Sequence, residues 1–174
     1  MDSWLEANRA LWDELVGVHV RAPGTYDIEG FKSGRSTLRA VEVDEVGDVE
    51  AKRPGGFFYI VEQHPAGNVF TDRDGKLVAG EPYFDVGPFV ETTDGSYADR
   101  TAILQNKTSH EWQHPLSDII NALVGVSLRI EFLHEFPFCM FQRLPSMVKG
   151  DDGWWRVPGR EDLPFLFSLK ASKG

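Results

Sequence analysis

Cysteine is almost missing from these 174 residues. The only one, Cys139, excludes an intrachain disulfide and a thiolate metal cluster, so a reducing compartment, the cytoplasm, is the expected location. Positive charge is also scarce: 18 Lys and Arg against 27 Asp and Glu give a formal net charge of −9. A surface so short of cations has little with which to grip nucleic acid or an anionic membrane, and neither partner is expected. No apolar run approaches the roughly 20 residues of a spanning helix. The first residues carry Asp2 and Glu6 where a signal peptide would carry basic residues and a long apolar run. No G-x-G occurs anywhere, so the turn whose glycines let a backbone pass close to a ligand at a helix start is absent. What is present is 41% hydrophobic and 12% aromatic content, enough for one domain, residues 1–174, around a real core.

Taken in order, Ser3 and Glu6 have capping-box spacing, and Leu5, Leu11, Trp12, Leu15 and Val16 recur at helical intervals. This predicts a helix over residues 4–16 that Gly17 ends. Pro23-Gly24, Gly30 and Gly34 then punctuate short pieces, with residues 25–28 as short strand or ordered loop and residues 37–43 extended. The stretch 52–65, KRPGGFFYIVEQHP, couples a hard turn to an aromatic and β-branched run. That run predicts a strand over Phe57–Gln63, buried on both faces, which His64 and Pro65 stop. Turn chemistry at Asp74-Gly75, Gly80, Gly87-Pro88 and Asp94-Gly95 marks loops and hairpins, with residues 82–91 and 101–112 as two antiparallel arms. From Pro115, the spacing of Leu116, Ile119, Ile120, Leu123 and Val124 predicts a helix ending near Gly125. Leu128, Ile130 and Phe132 alternate with Arg129 and Glu131, a strand over Leu128–Phe136 exposed on one side. After an aromatic loop, residues 164–171 form a last strand able to return antiparallel to it.

Two blocks of this pattern, residues 8–49 and 53–170, resemble class I S-adenosylmethionine-dependent methyltransferases of the small-molecule branch. The residues that carry the likeness are NRALWDELVGVHV, YDIEGFKSG and LRAVEVDEVGDV, the Arg53-Pro54-Gly55-Gly56 turn with its strand, the Trp112-x-His114-Pro115-Leu116-Ser117-Asp118 helix start and the terminal strand. The resemblance implies an α/β fold: a truncated Rossmann-like methyltransferase fold that keeps the C-terminal part of the sheet, with an N-terminal helix and a β-rich cap insertion. Residues 1–49 correspond to the helix and cap lead-in, and residues 52–174 to the C-terminal part. In the family, a segment like Gly47-Asp48-Val49 leads into the first strand, the glycine-rich turn and the carboxylate that holds the cofactor's ribose. Here Glu50 and Ala51 lead straight to the turn that precedes the fifth strand. The family's cofactor, S-adenosylmethionine, is therefore expected of the resemblance while its binding half is missing from the chain, and no cofactor-binding residue is assigned. Loss of the fourth strand would leave residues 57–61, FFYIV, as an apolar sheet edge, which predicts a homodimer through that strand.

His110-Glu111-Trp112-Gln113-His114 matches H-E-x-x-H. Its zinc chemistry needs a helix that aims both imidazoles at one metal, yet His114 precedes Pro115, whose ring disfavours the α region for the residue before it. The expectation is strand into capped helix, with no metal ligand and the zinc hydrolase as a remote alternative. His64, at the end of the buried strand, lies where the family faces its substrate. With an ordinary pKa near 6.5, it is a candidate general base, and His114 shares that argument. A strand-end histidine with no chemistry is the plainer alternative. Tyr26 and Trp112 are candidate walls of a small-molecule acceptor pocket, with Trp154 and Trp155 beside them, or simply core. Cys139 reads as packing and Asp151-Asp152 as a solvated turn. The reading is a methyltransferase-family protein cut down to its acceptor side, inactive alone, dependent on oligomerisation or reused as a ligand-binding module. The alternative is a donor-independent enzyme of cyclase or lyase type working through His64 or His114.

Overall fold

The computed structural model describes residues 3–22, 26–47, 56–84 and 87–173. The expected turns at Pro23-Gly24 and at 52–55, and the Asp48-Val49 join, lie outside the described residues. The chain is mixed α and β, in two compact units: Met1–Val41 with Gly87–Trp112, and Glu42–Val86 with Gln113–Gly174.

The first unit is built on α1 (Ser3–Arg21). The helix does not stop at Gly17. A glycine in a helix interior costs only about 1 kcal/mol relative to alanine, and Val18 beyond it packs with Leu11, Leu15 and Leu104. Of the expected stripe, Leu11 and Leu15 are buried, whereas Leu5, Trp12 and Val16 are 46%, 53% and 60% exposed. After Asp27, whose carboxylate accepts from the Gly30 amide at 2.9 Å, comes the short helix α2 (Ile28–Lys32). An extended stretch was expected at 37–43, but α3 (Ala40–Val46), which from Glu42 onward belongs to the second unit, is helical and has no buried residue. Its valines do not alternate against a sheet, and its hold is polar, through Glu45. The two arms pair as expected but over a shorter length, β4 (Phe89–Thr92) against β5 (Thr108–Glu111), antiparallel. Asn8 of α1 fixes β5 as a neighbouring strand would: its side chain donates to the His110 carbonyl at 2.7 Å and accepts from the His110 amide at 2.6 Å.

The second unit carries a three-stranded antiparallel sheet, β1 (Phe57–Gln63), β9 (Leu166–Lys173) and β6 (Leu128–Phe136), in the order β1-β9-β6. β1 has the expected bounds, yet it is an edge strand whose residues are half-buried or exposed; the buried strand is β9, where Leu166, Phe167, Ser168, Leu169 and Ala171 are fully buried and Lys170 is half-buried. One face of β9, Phe167, Leu169 and Ala171, meets the stripe Leu116, Ile119, Ile120 and Leu123 of α4 (Leu116–Gly125). Val124, expected in that stripe, is 56% exposed. β6 switches face midway. A bulge between Ile130 and Phe132 sets Ile130 opposite Ala171 and Phe132 opposite Lys170, because an extra residue in one strand reverses the side-chain alternation after it. Leu133 therefore joins Leu128 and Ile130 against α4, whereas Phe132 and His134 share the other face with Lys170 and Ser168.

Between β1 and α4, His64 caps a single 3-10 turn, Pro65–Val69. The hairpin β2 (Phe70–Arg73) and β3 (Lys76–Ala79) follows. Its two loop residues, Asp74 and Gly75, have φ of 54° and 75°, the paired positive values that a tight hairpin turn of matching twist requires. The aromatic loop after β6 forms β7 (Val148–Lys149) and β8 (Trp155–Arg156) and its own core of Cys139, Leu144, Met147, Val157 and Phe165.

Candidate functional site

The second unit's sheet holds two histidine–carboxylate pairs on opposite faces. On the α4 side, His64 is 4% exposed, its Nε2 2.7 Å from Glu135 Oε1, and its ring stands edge-on to Phe167. A carboxylate only accepts, so Nε2 carries the proton, and Nδ1 accepts from the Ala66 amide at 3.0 Å. Both nitrogens are engaged. Burial lowers the pKa of His64 and outweighs the opposing pull of Glu135, so the ring is held neutral.

On the other face, Glu45 of α3 gathers three side chains. Its Oε2 accepts from Tyr59 Oη at 2.6 Å, and its Oε1 from His134 Nδ1 at 2.7 Å and Ser168 Oγ at 2.9 Å. Burial pushes the Glu45 carboxyl up, but the bonds from Tyr59, His134 and Ser168 together bring it below the usual range. Burial and the same carboxylate raise the Tyr59 phenol well above its ordinary value. Glu45 is 12% exposed while His134 is 51% exposed, so the carboxylate is sheltered and the imidazole is open to solvent. The His134 ring stacks on Phe132 at 4.6 Å and 11°, with Phe136 edge-on at 6.4 Å. Lys170 lies beyond, its Nζ 6.0 Å from the Phe132 ring centre, 5.2 Å from that of Phe57, and 3.4 Å from Glu131 Oε2. At the end of β6, a cleft of about 250 Å³ is lined by Glu135, Phe136, Pro137, Glu161, Asp162, Leu163 and Pro164.

The remaining residues singled out from sequence fall elsewhere. Tyr26 bonds through its hydroxyl to Tyr97, beside His19, whose Nε2 is 2.8 Å from Ser96 Oγ. Burial, then the Tyr26 hydroxyl, push the Tyr97 phenol up to about 12. Trp112 packs edge-on against Trp4 at 5.0 Å, and His114 is exposed ahead of Pro115. Trp154 stands beside Phe138 at 4.6 Å, and Trp155 packs on the Cys139 core. In the H-E-x-x-H stretch, His110 and Glu111 belong to strand β5 and residues 112–115 are not helical, so the helical spacing that zinc chemistry needs is not formed. Among the described residues, no group of three or more His, Cys, Asp or Glu side chains is placed to hold a metal ion, and no helix is long and apolar enough to cross a membrane.

Sequence reasoning did not bring Glu45, Tyr59, His134 and Ser168 together. No local signal marked Glu45, because its three partners lie 14, 89 and 123 positions away along the chain. Compared with known proteins, the chain matches no family model, no curated protein and no solved structure.

Proposed function

We propose that this chain is a methyltransferase-family protein reduced to its acceptor side: a small-molecule binding module with a truncated Rossmann-like sheet, inactive in methyl transfer alone. The observation that carries the reading is the sheet's own boundary. β1 resembles the family's fifth strand, β6 and β9 resemble its C-terminal part, and in the order β1-β9-β6 the sheet ends at β1, where the donor-side strands would attach. Among the described residues, the donor's requirements are not met. Every strand pair among the described residues is antiparallel, and none of those strands delivers a glycine-rich turn to a helix start, the arrangement that brings a backbone against a nucleoside. Methyl transfer depends on holding donor and acceptor in line at short range, which an acceptor side alone does not supply. The same terminal strand supports a homodimer formed through β1.

Calorimetric titration with S-adenosylhomocysteine tests the reading. The expected result is no heat up to millimolar ligand. Saturable one-to-one binding would overturn it and restore a donor site.

A further inference from the structure

We propose that His134 is a proton acceptor, oriented by Glu45, for a small aromatic hydroxyl compound bound along the ring tier of Phe132, His134 and Phe136. The inference goes beyond the reading above, since it needs no methyl donor. Glu45 Oε1 at 2.7 Å fixes the proton on Nδ1, because the carboxylate can only accept. Nε2 is thereby the basic nitrogen, on a side chain 51% exposed. A carboxylate that holds the imidazole in one tautomer and stabilises the imidazolium formed on proton transfer is the arrangement that general-base catalysis uses. His64 lacks this freedom, because its second nitrogen accepts from Ala66.

The surroundings select the substrate class. Phe132, stacked on His134, and Phe136, edge-on to it, offer a flat ring surfaces on which to pack. Carboxylates crowd the site: Glu45, with Glu42 acting on Tyr59 from the same helix, and Glu131 on β6. They disfavour a ligand that arrives as an anion. Lys170, over Phe132 and 3.4 Å from Glu131 Oε2, is the cation on this face for an oxygen becoming anionic. A phenol meets both conditions, neutral on arrival and anionic after the transfer. In the step, the phenol O–H breaks, its proton bonds to Nε2, the electron pair stays on oxygen, and Glu45 keeps the Nδ1 proton. Glu45 is a positioning residue.

The probe is 4-nitrophenol, added below the pH at which it ionises in water, with nitrophenolate absorbance as the readout. The expected result is a saturable gain of absorbance on adding protein. His134→Ala should abolish the gain and added imidazole should restore part of it. Glu45→Gln should lower the yield about tenfold, the scale of one charge-assisted hydrogen bond, and move the ionisation midpoint of the bound phenol to higher pH. As a check on the native chain, 4-nitrophenol should protect His134 from ethoxyformylation by diethyl pyrocarbonate. Absence of a saturable signal, a signal that survives in folded His134→Ala, or no protection of His134 would each overturn the proposal. S-adenosylhomocysteine titration reads a different site, so the two readings fail separately.

Discussion

His64 and Glu45 show how single side chains set the acid response of this protein. The buried His64 ring binds a proton less readily in the folded chain than in the unfolded one, because burial lowers its pKa. Above about pH 6.5 the ring is neutral in both states and the difference vanishes. As pH falls below that value, the unfolded chain takes up a proton that the folded chain refuses, and stability is lost. The urea midpoint should therefore drop between about pH 7 and about pH 5. His64→Asn, which keeps an acceptor for the Ala66 amide, should flatten that slope; an unchanged slope would remove His64 from the account. Glu45 acts in a lower window. Its carboxyl lies below the usual range in the folded chain, so its contribution is whole above the ordinary carboxylate value of about 4.3. It is lost as pH falls through the folded value. Glu45→Gln should be less stable than the native chain at neutral pH, and the gap should close in acid. A gap independent of pH would mean that the three bonds to Glu45 do not depend on its charge.

At the scale of elements, β9 is the strand on which the second unit depends. Leu169 is fully buried, opposite Ile60 on one side and Leu133 on the other. Leu169→Ala should cost about 2–5 kcal/mol in denaturant unfolding, the range for deleting a buried leucine side chain. Val148→Ala, at a position 58% exposed, should change stability by less than about 0.5 kcal/mol. Elements defined by local apolar spacing were legible in the sequence: β1 and α4 fall where the run of FFYIV and the recurrence of Leu116, Ile119, Ile120 and Leu123 place them. What could not be read was set by partners far along the chain. The bulge at Glu131 is a pairing irregularity against β9, and without it Phe132 and His134 would exchange faces with Leu133. The Glu45 carboxylate of α3 bonds to residues on three different strands. His64 was legible as a strand-end side chain, but the Glu135 contact that occupies it lies 71 positions away.

At the scale of the whole molecule, the terminal position of β1 decides what a second copy could do. Its outer side pairs with no strand among the described residues, and an apolar edge of this kind is a template for another strand. Two copies meeting antiparallel about a two-fold axis through Ile60 would set Phe58 opposite Glu62 of the partner subunit, and Tyr59 opposite Val61 of the partner subunit. In that register the two glutamates do not face each other, and each lies against an aromatic ring. Phe58 is 38% exposed, so it can be replaced without emptying the core. Phe58→Glu would place two carboxylates opposite each other at both ends of the ladder, and like charges directly opposed across strands destabilise the pair. Phe58→Lys would place opposite charges there and preserve the pairing. Size-exclusion chromatography with light scattering should give twice the chain mass for the native protein and for Phe58→Lys, and the single-chain mass for Phe58→Glu. A native monomer at micromolar concentration would refute the dimer. A dimer equally intact in both variants would place the contact on a surface other than β1.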